Sequence, residues 1–229
     1  MKIKVIAFDA DDTLWHNENL FQEAENQFCE LLENYLPIHT TERELLHTEI
    51  QNIALYGYGI KAFMLSMIET AIRVTDKTLP VEAVERIIAI GKELLQKPVE
   101  LMDGVEEVLK EVSGKYRLVM ATKGDLLDQE RKLKKSGLER YFHHIEIMSE
   151  KAEDDYRKLI RHLDSKPEEF LMIGNSIKSD VLPVINLGGY AFHIPYHITW
   201  GHEKVEAKIE SSQFQQLQSI RDVVDALKR

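Results

Sequence analysis

Cysteine is nearly missing from this chain. Its 229 residues include one, Cys29, so no disulfide can form within the molecule. A reducing, cytoplasmic setting is the natural expectation. Proline and glycine are sparse, at 6 and 11 residues. No low-complexity run or repeat of solenoid length occurs, which argues against disorder and repeat architectures. Cationic charge is in deficit: 29 Lys and Arg against 39 Asp and Glu leave a net charge of −10. Sequence-independent nucleic-acid binding relies on cationic contacts and is not expected, although a local site can be positive inside a negative protein. Long apolar runs are lacking as well. No stretch approaches the ~18 residues of a membrane-spanning helix. The apolar run near Met1 is too short for a signal peptide and ends in acids. No membrane partner is expected, and no glycine pattern for a dinucleotide or P-loop nucleotide follows that run.

What remains is a well-packed composition, 44% hydrophobic and 30% charged. Lys4–Phe8 is short, nearly continuously apolar and rich in β-branched residues, as in a buried strand of a parallel sheet. Tyr116–Ala121, Ile145–Met148, Phe170–Ile173 and Tyr190–Ile194 read the same way. Helical stretches alternate with them: one from Asp125 to Gly137, then Asp154–Leu163, Lys178–Leu187 and a last one at Ile220–Leu227. The alternation predicts an α/β fold with a doubly wound parallel sheet. About 100 residues separate the first two strands, far more than a crossover needs. They read as four helices. The first carries Leu20, Ala24, Phe28, Leu31 and Tyr35. Thr41-Glu42-Arg43-Glu44 is a capping-box pattern opening the second, with Leu46, Ile50 and Ile53 inward. Ile60, Phe63, Met64, Met67, Ile68, Ala71 and Ile72 mark the third, and Val84, Ile87, Ile88, Leu94 and Leu95 the fourth. Residues 16–100 are thus expected to be a helical insertion in a core of residues 1–15 and 101–229, with Asp103-Gly104-Val105-Glu106 capping the helix that leads into the second strand.

The segment Phe8-Asp9-Ala10-Asp11-Asp12-Thr13-Leu14 places three carboxylates at the C-terminal end of the first strand, where open parallel sheets bind ligands. Clustered carboxylates repel unless a cation sits among them, and Mg²⁺ takes oxygen ligands, including one or two carboxylates. A turn or helix cap is the alternative role for Asp11 or Asp12. The second strand ends in Ala121-Thr122-Lys123-Gly124, a hydroxyl before a glycine turn that can hold phosphate oxygens, with Lys123 beside it. Ser149-Glu150-Lys151 follows the third strand, and Lys151 can neutralise phosphoryl charge. Lys158, one helical stretch further on, competes for that part. The fourth strand ends in Gly174-Asn175-Ser176-Ile177-Lys178-Ser179-Asp180, a tight turn with two more oxygen ligands, Asn175 and Asp180.

These four segments, in this order and each at a strand end, resemble the four motifs of the haloacid dehalogenase superfamily, and the helical insertion is similar to that superfamily's C1 cap. The resemblance covers essentially the whole chain. It implies Mg²⁺-dependent hydrolysis of a small phosphorylated metabolite. Asp9 would attack phosphorus, and Asp11 would serve as acid then base while its main-chain carbonyl binds Mg²⁺. Thr122 would hold the phosphoryl group and Lys151 would balance charge. The dehalogenase branch lacks the second carboxylate, so Asp11 favours phosphate chemistry. One departure stands out: the family usually has Asp where this chain has Asn175. Either Asn175 serves as a neutral ligand or Asp180 takes part of the work. In such caps the loop holding Tyr58 and Lys61 can face the active site and select substrate, where the two side chains could meet a polar leaving group; a plain helix C-cap is the alternative. His197, Trp200 and His202 follow the fifth strand with no assigned role. A phosphomutase or phosphotransferase differs only in the acceptor. A receiver-type regulatory domain would need an Asp ending the third strand, where this chain has Ile147-Met148-Ser149. A catalytically weakened phospho-ligand binder is suggested only by Asn175.

Overall fold

Val5-Ile6-Ala7-Phe8 forms the first strand, β1 (Val5–Phe8), with all four side chains buried. The structure is a computed structural model describing residues 2–205 and 208–228. Strands β2 (Arg117–Lys123), β3 (His144–Met148), β4 (Phe170–Gly174), β5 (Tyr190–His193) and β6 (Phe214–Gln216) complete one sheet. Its order is β3-β2-β1-β4-β5-β6, and every pairing is parallel. In this order the direction of winding reverses at β1, which lies between β2 and β4, and a crevice opens at the carboxyl ends of those strands.

The helices are α1 (Glu18–Leu31), α2 (Ile38–Tyr56), α3 (Ile60–Val74), α4 (Val81–Gln96), α5 (Val105–Val112), α6 (Leu126–Ser136), α7 (Glu153–His162), α8 (Leu182–Asn186) and α9 (Val223–Ala226). No described helix is long and apolar enough to cross a membrane.

Successive strand side chains point to opposite faces, so β1 serves two cores. Ile6 and Phe8 pack with Leu118, Met120, Leu171 and Ile173 under α5 and α9. Val5 and Ala7 pack with Val119, Ala121, Phe170 and Met172 under α7. Each fully buried side chain of this kind contributes roughly 1.5–3 kcal/mol, and a strand apolar on both faces has no other stable place than the middle of such a sheet.

Helices α1 to α4 form a separate compact unit with its own core, including Phe28, Leu32, Leu45, Phe63, Met67, Ile87 and Ile90. Gly91 lets α3 and α4 approach closely, because a Cβ there would run into the Met64 side chain. Cys29 lies in this core, and burial, with Glu25 and Glu42 adding, pushes its thiol up to about 12. The units divide as 1–17, 99–123 and 129–229 against 18–98 and 124–128. The helical unit thus runs a little inside the expected 16–100 and also takes in a short segment after β2.

Several expectations about local structure are corrected. β6 was not expected at all. Thr41 does not open α2; the helix starts one turn earlier, at Ile38, after Pro37. Proline lacks an N–H, and its carbonyl takes the amide of Thr41 at 3.1 Å, so the first turn closes there. Nor does α2 bury Leu46, Ile50 and Ile53. Its buried residues are Thr41, Leu45, Thr48 and Asn52, and Ile50 is 44% exposed. Tyr35 on the α1 stripe is likewise exposed. Asp103 caps nothing: α5 has no side-chain cap, and the Asp103 carboxylate instead accepts both Arg221 Nε at 3.1 Å and an Arg221 terminal nitrogen at 2.9 Å. Ile177–Val181 forms a π-helical turn before the short α8, so the regular helix expected from Lys178 begins later.

Candidate active site

Asp9 follows β1 and is 7% exposed. Its Oδ1 accepts a hydrogen bond from Lys151 Nζ at 2.5 Å, and its Oδ2 accepts one from Thr13 Oγ1 at 3.3 Å. Lys151, in the loop after β3, also donates to Asp180 Oδ1 at 2.7 Å. Asp180 Oδ2 accepts the Ser176 amide at 2.9 Å. Both Asp180 oxygens therefore have protein partners. Gly174 makes this possible, since a Cβ on that residue would occupy the space of the Asp180 carboxylate. Of the two competing lysines, Lys151 is buried in the site, whereas Lys158 is 76% exposed and pairs with Asp155.

Burial pushes the Asp9 carboxyl up, to about 7; Lys151 pulls it down, while Asp180 and Asp11 push it further up. Burial alone would lower the Lys151 ammonium, but Asp180 and Asp9 outweigh it and hold it well above the usual lysine range. The centre carries more negative charge than one ammonium offsets, which favours a further cation.

The Asn175 carboxamide, after β4, stands 3.2 Å from Asp9 Oδ2 and 3.3 Å from the Asp11 main-chain oxygen. Turned one way, its NH₂ donates to both. Turned the other way, three oxygens meet beside the Thr13 hydroxyl, which donates to Asn175 Oδ1 at 3.5 Å, and a cation would relieve their repulsion. Among the described residues no three His, Cys, Asp or Glu side chains are grouped to hold a metal ion. The donor set here is one carboxylate, one main-chain carbonyl and one carboxamide, all hard oxygens of the type Mg²⁺ takes.

The Asp11 side chain is held by three donors. Trp15 Nε1 at 2.7 Å and Lys132 Nζ at 2.6 Å share Oδ1, and Gln129 Nε2 donates to Oδ2 at 2.7 Å. Trp15 is fully buried, so it anchors this loop. Asp12 is the turn former: its backbone is left-handed at φ 61°, and its Oδ1 accepts the Asn17 amide at 2.8 Å. Thr122 is buried at the end of β2. Lys123 beside it is engaged, donating to Glu203 Oε1 at 2.5 Å and Ser179 Oγ at 3.1 Å. In the helical unit, Lys61 pairs with Asp125 at 2.8 Å. Tyr58 is half-buried in the same unit.

Sequence reasoning missed Gln129, Lys132 and Glu203. The first two lie on α6 one turn apart, on the face that follows Lys123, so a helical-wheel reading of 125–137 could have found them. Glu203 gave no such signal.

Fold and centre together define a doubly wound, Rossmann-like α/β protein whose charged residues gather at the strand ends. A family model described as haloacid dehalogenase-like hydrolase matches residues 3–188. The chain belongs to that family. A solved haloacid dehalogenase-like hydrolase from Xanthomonas campestris is 36% identical, covering 99% of this chain and 91% of that one at a TM-score of 0.90. A HAD-hydrolase from Bacillus subtilis bound to magnesium shares the fold at 15% identity, with full coverage of both chains and a TM-score of 0.70. A 2-haloacid dehalogenase from Pseudomonas syringae does so at 14% identity, 99% of each chain and a TM-score of 0.67. The solved neighbours include proteins named as phosphatases and as dehalogenases. No curated protein matches the chain at a significant level.

Proposed function

We propose that this hydrolase cleaves a small phosphate monoester with Mg²⁺, through an aspartyl-phosphate on Asp9, in a reducing cytoplasm. The observation that carries this reading is the pairing of Asp9 with Lys151 beside the oxygens of Asp11 and Asn175. Asp9, the Asp11 carbonyl and Asn175 would hold Mg²⁺. When bound, the cation offsets negative charge on the phosphoryl oxygens. Asp180 would hold Lys151, whose Nζ donates to it at 2.7 Å, since Asn175 and not Asp180 stands beside the Asp9 and Asp11 oxygens.

An Asp9 carboxylate oxygen attacks phosphorus, and the bond from phosphorus to the ester oxygen breaks. The leaving oxygen takes a proton from Asp11. A water then attacks the acyl-phosphate, giving its proton to Asp11 and releasing orthophosphate. Three donors on the two Asp11 oxygens orient it and suit the form that receives that proton. Lys151 and Thr122 face the equatorial phosphoryl oxygens, where positioning and charge neutralisation supply most of the rate. A halide leaving group needs no proton donor, so the Asp11 carboxyl favours phosphate over a carbon–halogen bond. With Lys61 committed to Asp125 and Lys123 to Glu203, their expected substrate contacts would require those pairs to open.

The test is turnover of p-nitrophenyl phosphate with Mg²⁺ and with a chelator, beside 2-chloropropionate. Sustained Mg²⁺-dependent phosphate release is expected, reduced roughly 10³-fold or more in Asp9→Asn. Chloride release without monoester turnover would overturn the reading.

A further inference from the structure

The segment after β5 supplies none of the chemistry above, yet it reaches residues beyond the ends of three strands. After β1, His16 Nδ1 lies 2.8 Å from Tyr196 OH. After β4, Lys178 Nζ donates to the His202 main-chain oxygen at 2.9 Å. At the end of β2, Lys123 meets Glu203. The Glu203 carboxylate is the junction of this set. Oε1 accepts Lys123 Nζ at 2.5 Å, while Oε2 accepts Ser176 Oγ at 2.5 Å and Ser179 Oγ at 2.6 Å. The side chains of Lys123 and Glu203 are only 16% and 11% exposed.

Each partner of Glu203 adjoins a residue of the candidate site. Lys123 follows Thr122, Ser176 follows Asn175, and Ser179 precedes Asp180. We propose that Glu203 is a positioning residue, a carboxylate clasp that fixes the spacing of the loops after β2 and β4 so that Thr122 and Asn175 address Asp9 together. The clasp is a feature of the fold; its effect on rate rests on the phosphoryl-transfer reading above. Burial works against the charged form of Glu203, but Lys123 and the two serine hydroxyls hold the carboxyl down at about 2. The clasp therefore stays ionised across ordinary working pH. Its geometric leverage is large, because a misplacement near 1 Å in a reacting site costs about 10²-fold in rate. Charge-assisted bonds to one carboxylate from two loops resist such a shift.

The experiment compares Glu203→Gln, Glu203→Asp, Lys123→Gln and the Glu203→Gln/Lys123→Gln double variant in p-nitrophenyl phosphate turnover with Mg²⁺, each normalised to folded protein. Glu203→Gln is expected to lower kcat roughly 10- to 100-fold with little change in KM, and Glu203→Asp to recover part of the loss. The double variant is expected to be no worse than the poorer single variant, as for two residues acting through one bridge. Wild-type kcat in Glu203→Gln, or losses that multiply in the double variant, would overturn the proposal. If the wild type turns over no monoester, the phosphatase reading fails by itself and amide hydrogen exchange decides the clasp. Faster exchange in Glu203→Gln at both 122–124 and 175–180 upholds it, and unchanged exchange at either segment overturns it.

Discussion

Gly174 ends β4 with no room for a side chain, because the Asp180 carboxylate fills the place a Cβ would take. Asp180 in turn holds Lys151, and Lys151 holds Asp9. A single methyl group at residue 174 therefore acts on the proposed nucleophile through two intervening residues. Gly174→Ala is expected to cost about 1–3 kcal/mol in urea unfolding, as overpacking does, and to lower turnover at least about tenfold by displacing Lys151. A variant as active as the wild type would mean that Asp180 can move without consequence for Asp9. The grouping of Asp9, Lys151 and Asn175 was legible in the sequence because Asp9 and Asn175 directly follow β1 and β4 and Lys151 lies in the short loop after β3, at the strand ends that such a sheet brings together. Glu203 was not, because its partners stand 80, 27 and 24 residues away in the chain. The choice between Asn175 and Asp180 was equally illegible. Both are oxygen donors in one turn, and only geometry separates the one facing Asp9 and the Asp11 carbonyl from the one already bonded to Lys151.

Helix α2 is the element that local pattern described least well. Its inward face carries Thr48 and Asn52, which are satisfied by α3: Asn52 donates to Ser66 Oγ at 3.1 Å and Thr70 donates to Thr48 Oγ1 at 2.9 Å. Hydrophobic periodicity cannot register a packed face built from hydroxyls and an amide, so it selected Leu46, Ile50 and Ile53 instead. Strand β6 escaped for a related reason: Phe214-Gln215-Gln216 is three residues long and has no apolar run. The five other strands carry enough apolar residues to read plainly, even β3, where Glu146 interrupts Ile145, Ile147 and Met148. Between α1 and α2, burial, with Glu42 adding, pushes the Glu25 carboxyl up to about 7. The unfolded chain ionises that group near 4.5, so the folded state binds the extra proton. The contribution of Glu25 is thus fully favourable below the unfolded value and is lost as pH rises through about 7. Glu25→Gln is expected to melt higher than the wild type at about pH 8 and alike at about pH 4. Thermal unfolding followed by helical circular dichroism measures this, and parity at the higher pH would contradict it.

At the scale of the whole chain there are two compact units, each with its own core. Asp9, Thr122, Lys151, Asn175 and Asp180 all belong to the α/β unit. A ligand that binds only the folded form raises stability by about 2.7 kcal/mol at a hundred times its dissociation constant. Mg²⁺ with orthovanadate is therefore expected to raise the melting of the α/β unit by roughly 5 °C or more, with most of the shift lost in Asp9→Asn. Calorimetry that shows no shift, or an equal one in the variant, would remove Asp9 from the ligand site. The buried thiol of the helical unit has a practical corollary. With its proton held so tightly and its sulfur walled in, Cys29 is a poor target for maleimide reagents. A cysteine engineered into either unit would accept a fluorescent or spin label alone, leaving the native thiol in place, and a pair of such labels could gauge the interval between the units in solution.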